Sequence, residues 1–134
     1  MEPNKIVMRY ADGRILKGYT PDFFPDKPTF NLYKKNPKFS KEAIQVSVKD
    51  LKGIFFVRDF LGNPGKREPK KIPDGLKVSG RKVEVTFKDK EVMVGSILDY
   101  NPERAGFFLF PSNPRSNNIT VFVVSQAVLS VRFL

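Results

Sequence analysis

The residues of this chain best suited to chemistry are cations, and their densest cluster lies within the stretch 61–80. Four of them fall between positions 66 and 71: Lys66, Arg67, Lys70 and Lys71. Cations at this spacing can follow a phosphate backbone, because each contact adds a salt-dependent contribution to binding. The alternative is that they only keep a Pro- and Gly-rich linker solvated. The formal charge of the whole chain is +10, which favours an anionic partner.

An aromatic residue stands directly before two further cations in the sequence Tyr33-Lys34-Lys35. Proteins that bind single-stranded nucleic acid stack bases on aromatic rings, at ~1–3 kcal/mol per base, and hold the backbone with nearby cations. We therefore predict a nucleic-acid contact at these three residues. The alternative is that Tyr33 packs inside the protein while both lysines face water.

Two phenylalanines, Phe23 and Phe24, stand between prolines and offer a different kind of site. Aromatic side chains are favoured anchors of protein interfaces. In the repeat described below, Phe23 corresponds to Tyr100 whereas Phe24 corresponds to Asn101, so Phe23 is the better core candidate. We predict Phe24 as the contact for a protein partner, the alternative being that it folds back on the molecule.

Enzymatic chemistry has little support in the composition. The 134 residues contain no Cys and no His, which removes disulfides, thiolate nucleophiles, Cys/His zinc sites and histidine bases. Asp12 and Asp89 are expected in hairpin turns, where Asp is favoured for turn formation. We predict no enzyme, no metal and no cofactor. Without an apolar leader or an apolar run of membrane-spanning length, we expect the cytoplasm.

The sequence contains two copies of the elements that position these residues. The stretch 5–33 matches 82–110 without a gap, with Gly18 on Gly95 (95 − 18 = 77). Later in the copies the matched apolar residues suggest smaller offsets, with Ile44 on Ile119 and Val57 on Val131. Alternating Val, Ile and Phe predict five short strands per copy. Glycine at position 18 suggests a bulge or a sharp bend in the second strand.

This pattern predicts an all-β protein made of two tandem five-stranded antiparallel small barrels that arose by internal duplication. We place the first repeat at residues 1–60, a basic linker at 61–80 and the second repeat at 81–134. Some positions that are polar in the first repeat are apolar in the second: Asn31 corresponds to Phe108, and Tyr33 to Phe110. We expect the extra apolar residues to be covered by the other repeat or by another subunit, so a homo-oligomer is compatible with the pattern.

The order of a strand, an Asp-Gly turn, a glycine-containing strand, a loop and a third strand reading Thr29-Phe30-Asn31-Leu32-Tyr33 resembles the Sm-like small β-barrel. In that family an asparagine of the third strand helps to bind an RNA base, and Asn31 occupies the matching position. The resemblance implies a barrel fold and RNA contact at Asn31. An asparagine at such an edge also commonly satisfies nearby backbone groups. The whole chain is similar as well to an uncharacterised bacterial type of tandem small-barrel protein. This second resemblance does not point to any particular activity.

We therefore predict a non-enzymatic binding module that takes RNA or single-stranded DNA through a basic surface. Its predicted nucleic-acid-binding residues are Asn31, Tyr33, Lys34, Lys35, Lys66, Arg67, Lys70 and Lys71. The alternative is a protein-interaction or regulatory adaptor that uses Phe24.

Overall fold

A computed structural model describes residues 3–60, 80–113 and 115–134 of the chain. The described residues form ten β-strands and two single-turn 3₁₀ helices, Val48–Asp50 and Ser125–Ala127. Alternating branched and aromatic side chains form the strands, since these residues suit a pleated sheet with a buried face. The strands are β1 (Asn4–Tyr10), β2 (Ile15–Thr20), β3 (Thr29–Leu32), β4 (Ile44–Ser47), β5 (Leu51–Val57), β6 (Arg81–Phe87), β7 (Val92–Ile97), β8 (Gly106–Pro111), β9 (Asn118–Val124) and β10 (Val128–Phe133).

Eight of the strands form one sheet in the order β10-β6-β7-β8-β9-β5-β1-β2, and β3 and β4 form a separate pair. The predicted all-β class is confirmed, and the described residues contain five strands before position 60 and five after position 80. The two separate barrels are not confirmed, because neither sheet closes and β5 of the first repeat pairs antiparallel with β9 of the second. Edge strands have unsatisfied backbone groups, and this pairing satisfies those of β5 and β9 across the repeats.

The β3–β4 pair is joined to the large sheet at one point, where Tyr19 and Tyr33 form an isolated bridge. The N–H of Tyr19 lies 2.8 Å from the carbonyl oxygen of Tyr33, and the reverse bond measures 2.9 Å. A side chain at Gly18 would collide with the same carbonyl. Pairing of β1 with β2 passes through Gly18 without a shift, so of the bulge or sharp bend predicted at this glycine, the bulge is wrong. The glycine instead permits close approach of β3.

Equivalent strand pairs have equivalent registers throughout the two repeats. Phe30 pairs with Val46 as Phe107 pairs with Val123, so β4 and β9 are offset by 77 (123 − 46 = 77). Ile6 pairs with Phe56 as Val83 pairs with Phe133, which gives the same offset for β5 and β10 (133 − 56 = 77). The smaller offsets predicted for these strands are therefore wrong. They arose because β9 begins three residues earlier than the counterpart of β4, and the additional residues pair with β5.

Two hydrophobic cores lie on opposite faces of the β5–β9 junction. Ile54 and Phe56 of β5 belong to the first core, whereas Phe55 and Val57 belong to the second. Strand β9 alternates in the same way, which is why every residue of β5 is buried. Phe122 of the second repeat is 1% exposed and packs in the first core, and Phe108 packs against it. The expectation that one repeat covers the extra apolar residues of the other is confirmed for these two.

A lysine links the repeats beside this junction. Lys52 lies in β5 and is only 8% exposed. Its Nζ atom lies 2.7 Å from Asp89 Oδ2 and also pairs with the carboxylate of Glu91. The same ammonium group lies 4.7 Å from the ring centroid of Phe87. A buried lysine requires such partners, since an unpaired ammonium group in the interior is costly.

Candidate nucleic-acid interface

The outer face of the β3–β4 pair holds Asn31, the residue predicted to contact a base. Its side-chain Nδ2 donates to Asp22 Oδ2 at 3.0 Å, and its backbone N–H donates to Asp22 Oδ1 at 3.3 Å. Asn31 is therefore half-buried and oriented by a carboxylate, as asparagines at strand edges commonly are. Gln45, its neighbour on β4, is exposed. This face thus presents amide groups beside the carboxylate of Asp22.

Tyr33 lies at the end of the same strand and is half-buried, with both backbone groups used in the bridge to Tyr19. Lys34 and Lys35 follow it and are exposed. The structure therefore brings Asn31, Tyr33, Lys34 and Lys35 together at one end of the β3–β4 pair. The other four predicted cations, Lys66, Arg67, Lys70 and Lys71, lie outside the described residues.

The loop of residues 34–41, named the lysine loop below, contains an aromatic residue that the sequence analysis did not weigh. Phe39 is 85% exposed, which makes it the most exposed large apolar side chain among the described residues. A turn fixes its place: the Phe39 N–H donates to the Asn36 carbonyl at 2.8 Å, and the Lys38 N–H donates to Asn36 Oδ1 at 2.9 Å. The sequence Lys-Lys-Asn-Pro-Lys-Phe-Ser-Lys would have revealed an aromatic flanked by cations.

Charge makes the lysine loop different from its counterpart in the second repeat. Residues 34–41 contain four lysines, Lys34, Lys35, Lys38 and Lys41, and no acidic residue. The equivalent residues 111–118 contain a single cation, Arg115, and have Ser116 in place of Phe39. Both loops nevertheless share a turn, because the Arg115 N–H donates to Asn113 Oδ1 at 3.0 Å. The same local scaffold therefore carries a cationic aromatic surface in the first repeat alone.

Phe24 and the loop around it form a second surface. The Phe24 side chain is 49% exposed, and Lys27 Nζ lies 4.9 Å from its ring centroid. Phe23 instead packs against the first core, edge-on to Phe30 at 5.3 Å between ring centroids. A groove of about 800 Å³ begins beside this loop. Its lining residues include Pro25, Lys27, Leu98, Arg104, Phe108 and Phe110.

Cations and anions are balanced in this groove. Lys27 and Arg104 line it, and so do Asp26 and Asp99. Leu98 is 69% exposed there. The groove therefore presents apolar surface without an excess of cations, which makes it less suited to a polyanion than the lysine loop.

Asp12 and Asp89 occupy the equivalent turns predicted for them. The backbone N–H of Arg14 donates to Asp12 at 3.0 Å and lowers the pKa of that carboxyl, with the Arg14 guanidinium also contributing. The hydrogen bond from Lys52 is the main cause that lowers the pKa of Asp89, followed by the backbone N–H of Glu91. Both carboxylates therefore stabilise turns and remain ionised at neutral pH.

The described residues contain no group of three or more His, Cys, Asp or Glu side chains placed to hold a metal ion. In the same part of the chain, no helix has the length and apolar character needed to cross a bilayer.

The fold and this surface define an all-β protein in which two similar five-strand units both contribute to one eight-stranded sheet, and one unit presents a basic loop. The chain belongs to DUF6982, a family of unknown function, whose family model matches residues 2–134. The comparison with curated proteins gives no match, and the comparison with solved structures gives none either. The Sm-like resemblance therefore stays a prediction.

Proposed function

We propose that this protein is a non-enzymatic binding module that takes single-stranded nucleic acid, RNA or DNA, on the lysine loop and the adjoining face of β3 and β4. The observation that carries the proposal is the 85% exposure of Phe39 within a loop of four lysines. An exposed ring can stack on a base, and the lysines around it can neutralise the flanking phosphates.

The neighbouring face supplies the polar groups of this proposed site. Asn31 and Gln45 have amide groups of the kind that hydrogen-bond to base edges, and Tyr33 offers a second ring beside Lys34. Asp22 orients Asn31 and places a negative charge at that end of the face. Phosphate groups would therefore be held by the lysine loop, while the amide face would contact bases.

Fluorescence anisotropy with labelled single-stranded RNA, single-stranded DNA and duplex DNA at several salt concentrations tests the proposal. We expect Phe39→Ala to weaken single-strand binding by about tenfold, since stacking contributes ~1–3 kcal/mol per base. Replacing the four lysines with Gln should reduce the salt slope by about 0.7 for each phosphate that is no longer neutralised. A variant with Gln at Lys49, Lys82, Lys88 and Lys90, four exposed lysines outside the loop, is the charge-matched control. Equally weakened binding in both lysine variants would contradict the assignment of the site.

A second candidate function is protein interaction through Phe24 and the adjoining groove, supported by the exposed apolar side chains of Leu98 and Phe110 there. Under this alternative, Phe24→Ala and Leu98→Ser should each abolish a cross-linked partner that Phe39→Ala retains. A partner retained by both variants would exclude the groove as the contact.

The constant offset of 77 between equivalent strand pairs supports a duplicated small-barrel ancestor, with the linker at residues 61–80 connecting two derived units. Under this proposal the units opened and merged through β5 and β9. A cytoplasmic location and the absence of enzymatic activity remain parts of the proposal that direct assay must decide.

A further inference from the structure

We propose that copies of this protein associate head to tail, with the β10 edge of one chain pairing antiparallel with the β4 edge of the next. The template is the junction inside the chain, where β5 pairs with β9. Strand β10 is the counterpart of β5, and β4 is the counterpart of β9. Among the described strands, β10 pairs only with β6 and β4 pairs only with β3, so no described strand covers the second edge of either one.

Backbone groups on both edges are oriented for this pairing. The Leu134 N–H donates to the Lys82 carbonyl at 2.9 Å, so alternation along an antiparallel strand directs the backbone groups of Val131 away from β6. The Val48 N–H donates to the Pro28 carbonyl at 2.9 Å, and the same alternation directs those of Gln45 away from β3. Inside the chain, Ile54 pairs with Phe122. The equivalent contact between chains joins Val131 to Gln45.

Apolar side chains are exposed at the two ends of the molecule, at positions whose counterparts are buried in the internal junction. Ile44 is 40% exposed, whereas its counterpart Val121 is fully buried. Leu134 is 58% exposed, whereas its counterpart Val57 is 5% exposed. Phe133 is 38% exposed against 8% for Phe56. Head-to-tail pairing would cover these surfaces as the internal junction covers their counterparts.

Three replacements make the proposed contact weaker than the internal one. Gln45 stands where the internal junction has Phe122, and Asn31 stands where it has Phe108. Leu129 also replaces Lys52, so the ion pairs with Asp89 and Glu91 have no counterpart between chains. The association should therefore depend on concentration, and because it would cover Asn31 and Gln45 it should compete with base contacts on the amide face. Because its two surfaces differ, each added chain leaves one free edge of each kind until a ring closes.

Sedimentation velocity of the full chain over a wide range of concentrations tests the association. We expect a weighted-average mass that rises with concentration, and Gln45→Phe should lower the dissociation constant by about tenfold because it restores the aromatic of the internal junction. Ile44→Lys should abolish the association. Ile15→Lys is the matched control, since Ile15 is 48% exposed but lies in β2, outside both the β4 and the β10 edges. A monomer mass at every concentration for both the natural chain and Gln45→Phe would overturn the proposal.

Disulfide trapping tests the register, and the natural chain has no cysteine to interfere. Phe55 pairs with Val121 inside the chain, so Arg132 should lie opposite Ile44 of the next chain. Cα atoms of directly opposed residues fall within disulfide range. Mild oxidation of the variant with Ile44→Cys and Arg132→Cys should give a ladder of linked chains. The variant with Gln45→Cys and Arg132→Cys places the thiols on opposite faces and should give none. Equal ladders, or none in either variant, would reject this register.

Discussion

Lys52 shows how one side chain can join two repeats. Lysine is needed at this position because it forms ion pairs with Asp89 and Glu91. Its counterpart in the second repeat is Leu129, so the backbone at this position accepts an apolar side chain. We predict that Lys52→Met changes the free energy of unfolding by no more than about 1 kcal/mol, because an apolar replacement of a buried charge is often neutral. Lys52→Glu should cost about 3–5 kcal/mol, since it buries an uncompensated charge against two carboxylates. Urea unfolding measures both, and equal effects would contradict this account.

The hydrogen bond from Lys52 also predicts a dependence of stability on pH. It holds the folded-state pKa of Asp89 below the ordinary value of 3.8. A lowered folded pKa stabilises the fold at pH values above 3.8, and this contribution disappears as the pH falls through the folded pKa. The effect should be modest, because the Asp89 side chain is 53% exposed and water screens it.

Urea unfolding as a function of pH measures this contribution. We expect the natural chain to lose more stability than Lys52→Met as the pH is lowered below 3.8. Asp12 is the internal comparison, because its pKa is lowered mainly by the backbone of its own turn and does not depend on Lys52. Parallel pH profiles for the natural chain and Lys52→Met would contradict the assignment.

At the scale of the element, the equal length of the two loops allows an exchange. We predict that replacing residues 34–41 with the sequence of residues 111–118 abolishes single-strand binding while leaving the thermal unfolding midpoint within a few degrees. The fold should survive because both loops contain the same turn, closed on the side chain of Asn36 or Asn113. Anisotropy and circular dichroism measure the two outcomes. Phe39→Ser alone, which copies Ser116, separates stacking from charge, and full binding by the exchanged chain would reject the lysine loop as the site.

Individual elements were predictable from the sequence, whereas their partners were not. Period-two alternation predicted ten strands, and the sequence Asp12-Gly13 predicted a hairpin turn. In the structure Gly13 has the positive φ, 97°, that such a turn requires. The β5–β9 pairing could not be read from periodicity, since alternation shows which faces are buried but not which edge meets which. Strand β5 runs from Leu51 to Val57 and is buried on both faces, and the junction with β9 explains this burial.

The candidate site was predicted in part for a similar reason. Asn31, Tyr33, Lys34 and Lys35 do lie at one end of the β3–β4 pair, as their closeness in sequence ensures. Phe39 was missed because an aromatic in a loop is more often folded back than exposed, and only its surroundings show the difference. The ion pairs of Lys52 were not predicted because its carboxylate partners lie 37 and 39 residues away in the sequence.

At the scale of the whole molecule, the shared junction should make the two cores unfold together. Alternate residues of β5 and β9 belong to the two cores. If these strands separate to open one core, they also expose the residues that they contribute to the other core. We predict a single cooperative transition in urea, seen alike by circular dichroism and tyrosine fluorescence. Two transitions would show that the repeats are independent domains joined only by their linker.

Phe122 provides the sharpest test of this coupling, because it belongs to a strand of the second repeat but fills the first core. Phe122→Ala should cost about 3–5 kcal/mol, as large aromatic truncations in cores do. Native-state hydrogen exchange should then show equally reduced protection in β1 and β6, although only β1 borders the first core. Ile119→Ala is the matched control, since Ile119 lies on the same strand and is 49% exposed. If β6 kept its protection while β1 lost it, the two cores would be separate folding units and the junction only an interface between them.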